Sequence, residues 1–256
     1  MSASPVLEAS AIALNYTGHG PAVLEGFDFA LQAGEVVSIL GASGVGKSSL
    51  LRVMAGLQRP TNGAVRVHGV AVDGAHPRVA IAFQDPSLLP WLTLERNVAF
   101  GLDFKHQPKL PAAESRQRVD DAIHEVGLSH ARRHYPAQLS GGMAQRTALA
   151  RCLARRPEIL LLDEPFGALD EVTRSEMQHL LLAVVRLHRT AAVLITHDID
   201  EALLVSDRVL LLGGAPACEI GAWTIDLPKP REDYVAELGQ IRIEILRTLR
   251  DAAKRH

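Results

Sequence analysis

The stretch Gly41–Ser49 reads GASGVGKSS, the pattern of a loop that holds phosphate. Gly41, Gly44 and Gly46 free the backbone to curl, so that N–H groups contributed by Ala42, Ser43, Val45 and Ser49 can face an anion. Lys47 is placed to reach the β- and γ-phosphates of a nucleotide, and the Ser48 hydroxyl to ligate Mg²⁺. A second constellation is ILLLDE, an apolar run ending in Asp163 and Glu164. Asp163 suits the Mg²⁺ shell, and Glu164 suits a general base or a group orienting an attacking water. Gln84 and His197 close the runs VAIAFQ and VLITH, and each is expected to end a strand at the same edge as Asp163. Alone, such a glutamine is ordinarily a surface residue and such a histidine a structural one. A third stretch, LSGGM at Leu139–Met143, places two glycines and a serine before the helical pattern AQRTALARCLARR. Ser140 stands at the N-cap position, and Gly141 and Gly142 allow close approach. The chain therefore carries two helix starts able to face an anion.

These residues need elements to position them. The phosphate loop follows EVVSIL, apolar and continuous toward its end as a buried parallel strand is. It opens the helical run SSLLRVMAG, which Gly56 is placed to stop. Further β-like runs, ALNY, FDFAL, AVRVHG and VAIAFQ, fill the first 84 residues. From Asp85 to about Arg156 the spacing is helical, with Val119, Ile123 and Val126 on one face and Pro108, Pro111 and Pro136 as punctuation. Strands return with ILLLDE, AAVLITH and RVLLLG, and the helical EVTRSEMQHLLLAVVRLH lies between the first two. That βαβ rhythm predicts an α/β core with a parallel sheet, interrupted by a helical insertion. The last segment, from Arg231, predicts an amphipathic helix on a Pro-rich connection.

The composition sets limits. The chain has 256 residues, 47% apolar and 22% charged, with a net charge of -2. This balance gives no general attraction to nucleic acid or anionic lipid. Two cysteines, Cys152 and Cys218, cannot make a disulfide framework, and Cys152 reads as a small buried residue within a helix. The N-terminal MSASPVLEAS lacks a secretory pattern, and no apolar run approaches the roughly 18 residues of a membrane span. The expectation is a cytoplasmic protein that another subunit brings to a membrane, if it works at one.

Taken together, GASGVGKSS, Gln84, LSGGM, ILLLDE, GALD and ITH occur in the order and rough spacing of an ABC-transporter ATPase, and the resemblance runs from about Val6 to Gly221. It implies a P-loop NTPase core with an N-terminal antiparallel β region and a helical sub-domain. The expected organisation is one ATPase domain over residues 1–222, its core at about 1–84 and 157–222 and its helical sub-domain at about 85–156, followed by a helical tail at 223–256. In that family Ser140 to Gly142 belong to the signature loop, FGALD resembles the D-loop with Asp170 at its end, and His197 resembles the switch histidine at the γ-phosphate. Gln84 matches the glutamine that approaches Mg²⁺. Tyr16 matches the adenine-stacking aromatic; on the residues alone it could equally fill a strand surface.

The resemblance also implies ATP and Mg²⁺ as ligands, and a head-to-tail dimer in which each signature loop covers the nucleotide on the partner's phosphate loop. The segment FQDPSLLPWLTLERNVAFGL, the LSGGM variant and DLPKPRE are similar to importers of nitrate, sulfonates, taurine and related small anions. Met143 leaves both glycines of the loop intact. The implied partners are transmembrane permease subunits, indirectly an external solute-binding protein, and no nucleic acid, with the chain peripheral on the cytoplasmic face of the plasma membrane. Pro90 and Trp91 fall on the permease-facing loop in this reading, or form a local apolar plug. Two alternatives stand beside it: a soluble ABC-type ATPase working on nucleic acid or ribosomes, and a nucleotide-binding scaffold without turnover.

Overall fold

The computed structural model describes residues 4–15, 21–104 and 107–254. The chain opens with β1 (Leu7–Asn15) and β2 (Ala22–Leu31). β3 (Val36–Gly41) follows with every residue buried, and α1 (Lys47–Met54) starts directly after Gly46. α1 stops at Ala55, and Gly56 then takes a left-handed φ of +71°. β4 (Asn62–Val67), β5 (Val70–Ala71) and β6 (Val79–Ala82) lead into a helical stretch of α2 (Leu94–Ala99), α3 (Ala112–Glu125) and α4 (Gly141–Leu153). β7 (Ile159–Asp163), α5 (Glu171–His188), β8 (Ala191–Ile195), α6 (Ile199–Val205) and β9 (Arg208–Gly213) then alternate, before β10 (Cys218–Thr224) and α7 (Val235–Ala253).

Two sheets result. One is antiparallel in the order β2–β1–β4–β5, and the other runs β10–β9–β3–β8–β7–β6. Within the second, β9, β3, β8, β7 and β6 are parallel and β10 is antiparallel to β9. The register puts Ile39 beside Ile195, Ile195 beside Asp163, and Leu162 beside Ala82. The carboxyl ends of β3, β8, β7 and β6 therefore lie along one edge, where ligands of open parallel sheets bind.

The alternation of side chains divides the core. Ile159 and Leu161 of β7 join α1 and the antiparallel sheet in one apolar cluster, while Leu160 and Leu162 join α2 to α5 in another. Each such buried Leu or Ile contributes about 1.5–3 kcal/mol. An exposed pair such as Arg59–Asp73 contributes about 0–1 kcal/mol, so apolar packing fixes the sheet edge.

Three sequence expectations shift. β6 and β8 end at Ala82 and Ile195, so Gln84 and His197 lie two residues beyond the strands, in loops that leave the sheet. The expected boundary at 222 falls inside β10, which stays paired to β9 through Thr224. Beyond it, the connection to α7 is pinned by Arg231, which is 1% exposed. Its guanidinium donates to the carbonyls of Leu227 (3.0 Å), Leu203 (2.9 Å), Ile225 (3.0 Å) and Ser206. These charge-assisted bonds hold the tail against α6, and Ile245 of α7 is buried in the same apolar cluster as Leu203.

Candidate active site

The phosphate loop takes the conformation its glycines permit. Gly44 and Gly46 have φ of +82° and +97°, a region closed to most side chains. At Gly41 an added Cβ would sit 2.9 Å from the Leu212 carbonyl oxygen, so the loop leaves β3 pressed against β9. Gly46 caps α1 without a side chain, which leaves first-turn N–H groups for a ligand. The Val45 N–H bonds the Ala42 carbonyl at 3.3 Å, closing the turn of the loop, and Ser43 is exposed while Ser49 is buried. Lys47 is buried, and its ammonium donates to the carbonyls of Gly41 (2.8 Å) and Ala42 (2.9 Å). Burial lowers its pKa, against the pull of Glu164 and Asp163.

Asp163 closes β7 opposite the start of α1. The Ser48 hydroxyl donates to Asp163 Oδ1 at 3.1 Å. Burial raises the Asp163 pKa; the Ser48 bond opposes this and the neighbouring Glu164 adds to it. Glu164 follows with φ of +45°, a strained value for a glutamate, while its N–H still bonds the Ile195 carbonyl at 2.8 Å. Its carboxylate has a partner on each oxygen. Gln84 Nε2 donates to Oε2 at 3.0 Å, and His197 Nδ1 lies 3.2 Å from Oε1. Lys47, Ser48, Gln84, Asp163, Glu164 and His197 thus gather at the carboxyl edge of the sheet from four separate segments.

Ser140, Gly141, Gly142 and Asp170 form a second set. Ser140 caps α4 as its position predicts, its Oγ accepting from the Met143 N–H at 3.2 Å. Gly141 is exposed. Gly142 abuts α5, where an added Cβ would come within 2.3 Å of Thr173 Cγ2. Asp170 caps α5, accepting from the Thr173 N–H (3.1 Å) and hydroxyl (2.7 Å), bonds that hold its carboxyl below the usual range. Thr173 therefore joins the start of α4 to the start of α5. Tyr16 lies outside the described residues.

Other residues of the site escape motif reading. Gln145 is buried in α4 and donates to the Gln84 carbonyl at 3.1 Å. Arg151, farther along the same helix, donates to the carbonyls of Ser87 (3.0 Å) and Pro86 (2.7 Å). Together they fix the loop that carries Gln84. The signal for Gln145 is its place on the buried stripe of Ala148, Leu149 and Cys152, where a polar residue needs a partner. From α2, the buried Asn97 amide accepts from the Leu89 N–H (2.8 Å) and donates to the Leu92 carbonyl (3.0 Å) of the preceding loop. It displays the turn that holds Pro90 and Trp91, both exposed.

The donor set suits a small hard cation shared with phosphate. Among the described residues no group of three or more His, Cys, Asp or Glu is placed to hold a metal by itself. The Ser48 hydroxyl and Asp163 carboxylate form the oxygen pair with which Mg²⁺, retaining water and phosphate ligands, is ordinarily held. Among the described residues no helix is long and apolar enough to cross a membrane.

Known proteins resemble this chain in sequence and in fold. The model of the ABC transporter family matches residues 24–167. The chain is 46% identical over 229 residues to the aliphatic sulfonates import ATP-binding protein SsuB 1 of Xanthomonas axonopodis pv. citri, covering 89% of this chain and 90% of that protein. It is 46% identical over 210 residues to the bicarbonate transport ATP-binding protein CmpC of Synechococcus elongatus, covering 82% of this chain but only 32% of the longer relative. Among solved structures, the dimeric post-hydrolysis state of the ATP-binding cassette MJ0796 bound to ADP and Pi superposes with a TM-score of 0.75 at 29% identity, over 87% of this chain and all of that one. CbiO1 of Clostridium perfringens, part of the ABC transporter complex cbiONQ, gives 0.79 at 30% identity over 98% of both chains. The chain belongs to the ABC transporter family.

Proposed function

We propose that this family member is the ATP-hydrolysing subunit of an importer, coupling ATP binding and hydrolysis in a head-to-tail dimer to uptake of a small anion through a separate permease. The observation that carries the reading is Glu164 held between Gln84 and His197, beside Asp163 and Ser48. Lys47 and the first-turn N–H groups of α1 bind the phosphates. Ser48 and Asp163 would hold Mg²⁺, with Gln84 close by, and the cation would supply positive charge to the phosphate oxygens. Glu164 accepts a proton from the water that attacks the γ-phosphorus, a contribution of about 10²–10⁴-fold. ADP leaves, and His197, poised against the same carboxylate, faces the γ-phosphate.

The second helix start serves a second copy. In a two-fold dimer, Ser140, Gly141 and Gly142 of one chain cover the nucleotide on the partner's phosphate loop, with Asp170 beside them. The dimeric ADP–Pi state of MJ0796 supports this assembly. Closure depends on γ-phosphate, and its loss lets the dimer open. Exposed Pro90 and Trp91, on a turn braced by Asn97, support a permease contact. The solute is a small anion such as a sulfonate, nitrate or taurine; relatives named for sulfonates and bicarbonate support that class. The chain then sits on the cytoplasmic face of the membrane, and an external binding protein acts through the permease.

Phosphate release by the purified chain with ATP–Mg²⁺ tests the assignment. Turnover that stops on chelation of Mg²⁺ and on Glu164→Gln is the expected result. ATP binding without turnover would point to a scaffold instead. Replacing Pro90 and Trp91 by Ala is expected to spare ATPase of the free chain and weaken its capture by the membrane subunit; equal loss of both would favour a local plug.

A further inference from the structure

Three side chains outside the set around Glu164 converge behind His197. Glu201, in the first turn of α6, is 5% exposed. Its Oε2 accepts from the Thr196 hydroxyl at 2.9 Å, and its Oε1 lies 3.4 Å from Arg174 Nε. Thr196 is itself buried, and its Oγ accepts from the Asp198 N–H at 3.0 Å. Residues 196–198 are thereby closed into a tight turn with His197 at its apex. A hydroxyl has one proton to give. Directed at Glu201, it leaves a lone pair for the Asp198 N–H, so Glu201 orients both bonds. Asp198 then caps α6, accepting from the N–H groups of Asp200 (2.9 Å) and Glu201 (3.1 Å).

Arg174 makes a second connection. It sits in the first turns of α5 and donates to the Leu169 carbonyl at 3.2 Å, directly before Asp170. One guanidinium thus spans the backbone of the FGALD segment and the carboxylate that anchors Thr196. Burial raises the Glu201 pKa, while the Thr196 hydroxyl, Arg174 and His197 draw it back. A carboxylate in such a place is costly without partners, so their presence is a specific arrangement.

We propose that Arg174, Glu201 and Thr196 are positioning residues, which hold the His197 imidazole against Glu164 and tie its placement to the Leu169–Asp170 segment. The inference rests on the reading of Glu164 and His197 as groups that act in turnover. It places the start of α5, which Thr173 joins to Gly142, in mechanical contact with the switch residue of the same chain's own site.

The test uses Arg174→Met, Glu201→Gln and Thr196→Val in the full chain. ATP affinity is read by calorimetry, kcat and KM by hydrolysis of ATP–Mg²⁺, and folding by thermal unfolding. Each variant is expected to lose about tenfold or more in kcat while its ATP affinity stays within about threefold of the parent. The Arg174→Met, Glu201→Gln double variant is expected to be no worse than the worse single one, because both charges of the pair are gone. Arg174→Lys keeps the charge without the fork that reaches Leu169, Glu171 and Glu201 together, and is expected to fall between. A merely structural brace would lower the unfolding temperature and leave this split unmade. Folded variants with kcat within about twofold of the parent would overturn the proposal. If the Glu201 variant fails to fold, the nearly isosteric Thr196→Val decides by the same criterion. A parent chain that binds ATP but never turns it over would overturn the underlying reading of Glu164 and His197, an outcome distinct from an active parent with unaffected variants.

Discussion

Gln84 donates its side-chain amide to Glu164 across 3.0 Å, although 80 positions separate them in the chain. The bond joins the loop after β6 to the first residue beyond β7, strands that pair directly. Gln145 holds the Gln84 carbonyl from behind, so the helix that begins at Ser140 is tied to the group that touches Glu164. Movement of α4 has a direct mechanical path to the carboxylate.

Glu164→Gln is expected to preserve nucleotide binding and lower turnover by roughly 10²–10⁴-fold. The amide is nearly isosteric. Its oxygen can still accept from Gln84, and its NH₂ can face His197 Nδ1 once the imidazole adopts the other tautomer. It cannot take a proton from water. ATP–Mg²⁺ should then trap a closed dimer, seen as a doubled mass on a sizing column. Near-normal hydrolysis would remove Glu164 from the role of base.

Lys47→Ala is expected to weaken ATP binding by roughly a hundredfold, about 2.7 kcal/mol. The phosphates lose the Lys47 ammonium, and the carbonyls of Gly41 and Ala42 lose the donor that draws them together. Calorimetric titration with ATP–Mg²⁺ measures this, and an unchanged affinity would sink the phosphate-loop assignment.

Gly142→Ala is expected to impair dimer closure and ATPase, because the added Cβ meets Thr173 Cγ2 at 2.3 Å. Thr173→Ser removes that methyl and keeps the hydroxyl bonded to Asp170. The pair of changes should therefore recover activity lost in the single variant. Failure of the serine to rescue would show that something other than this contact excludes a side chain at Gly142.

Two helix starts and one strand end were legible in the residues themselves. Ser140 and Asp170 cap α4 and α5 because a short oxygen-bearing side chain precedes each helical pattern, and Asp163 closes β7 because its apolar run stops there. These are local rules. The bracing of the site was not legible, since it joins segments far apart. Gln145 reaches Gln84 across 61 positions, and Arg231 finds a carbonyl on α6 that no pattern around DLPKPRE announces. The strands before Gln84 and His197 looked longer than they are because Phe83 and Thr196, residues that suit a strand, follow Ala82 and Ile195 in the loops that leave the sheet.

The two thiols should differ sharply in reactivity. Cys152 is wholly enclosed in α4, and burial pushes its pKa up to about 11. At pH 8 roughly one Cys152 in a thousand would be thiolate, the reactive form. Cys218 is exposed on β10. One equivalent of a disulfide reagent should react quickly with the native chain, and the second only after denaturation. Two fast equivalents would contradict the packing of α4 against β6.

Ser140→Arg tests whether the second helix start acts on a partner. The exposed Ser140 hydroxyl makes its bond within its own turn, so the change is not expected to alter ATP binding to an isolated monomer. In a dimer the bulky side chain would occupy the gap meant for the partner's γ-phosphate and block closure. Lys47→Ala inactivates from the other half of each composite site. When the two inactive variants are mixed, a heterodimer carries both lesions at one site and neither at the other. Phosphate release should reappear, approaching about half the parental rate per heterodimer where one intact site turns over alone. Loss of ATP binding by Ser140→Arg in a verified monomer would instead place the loop at its own chain's nucleotide, and the head-to-tail arrangement would lose its support.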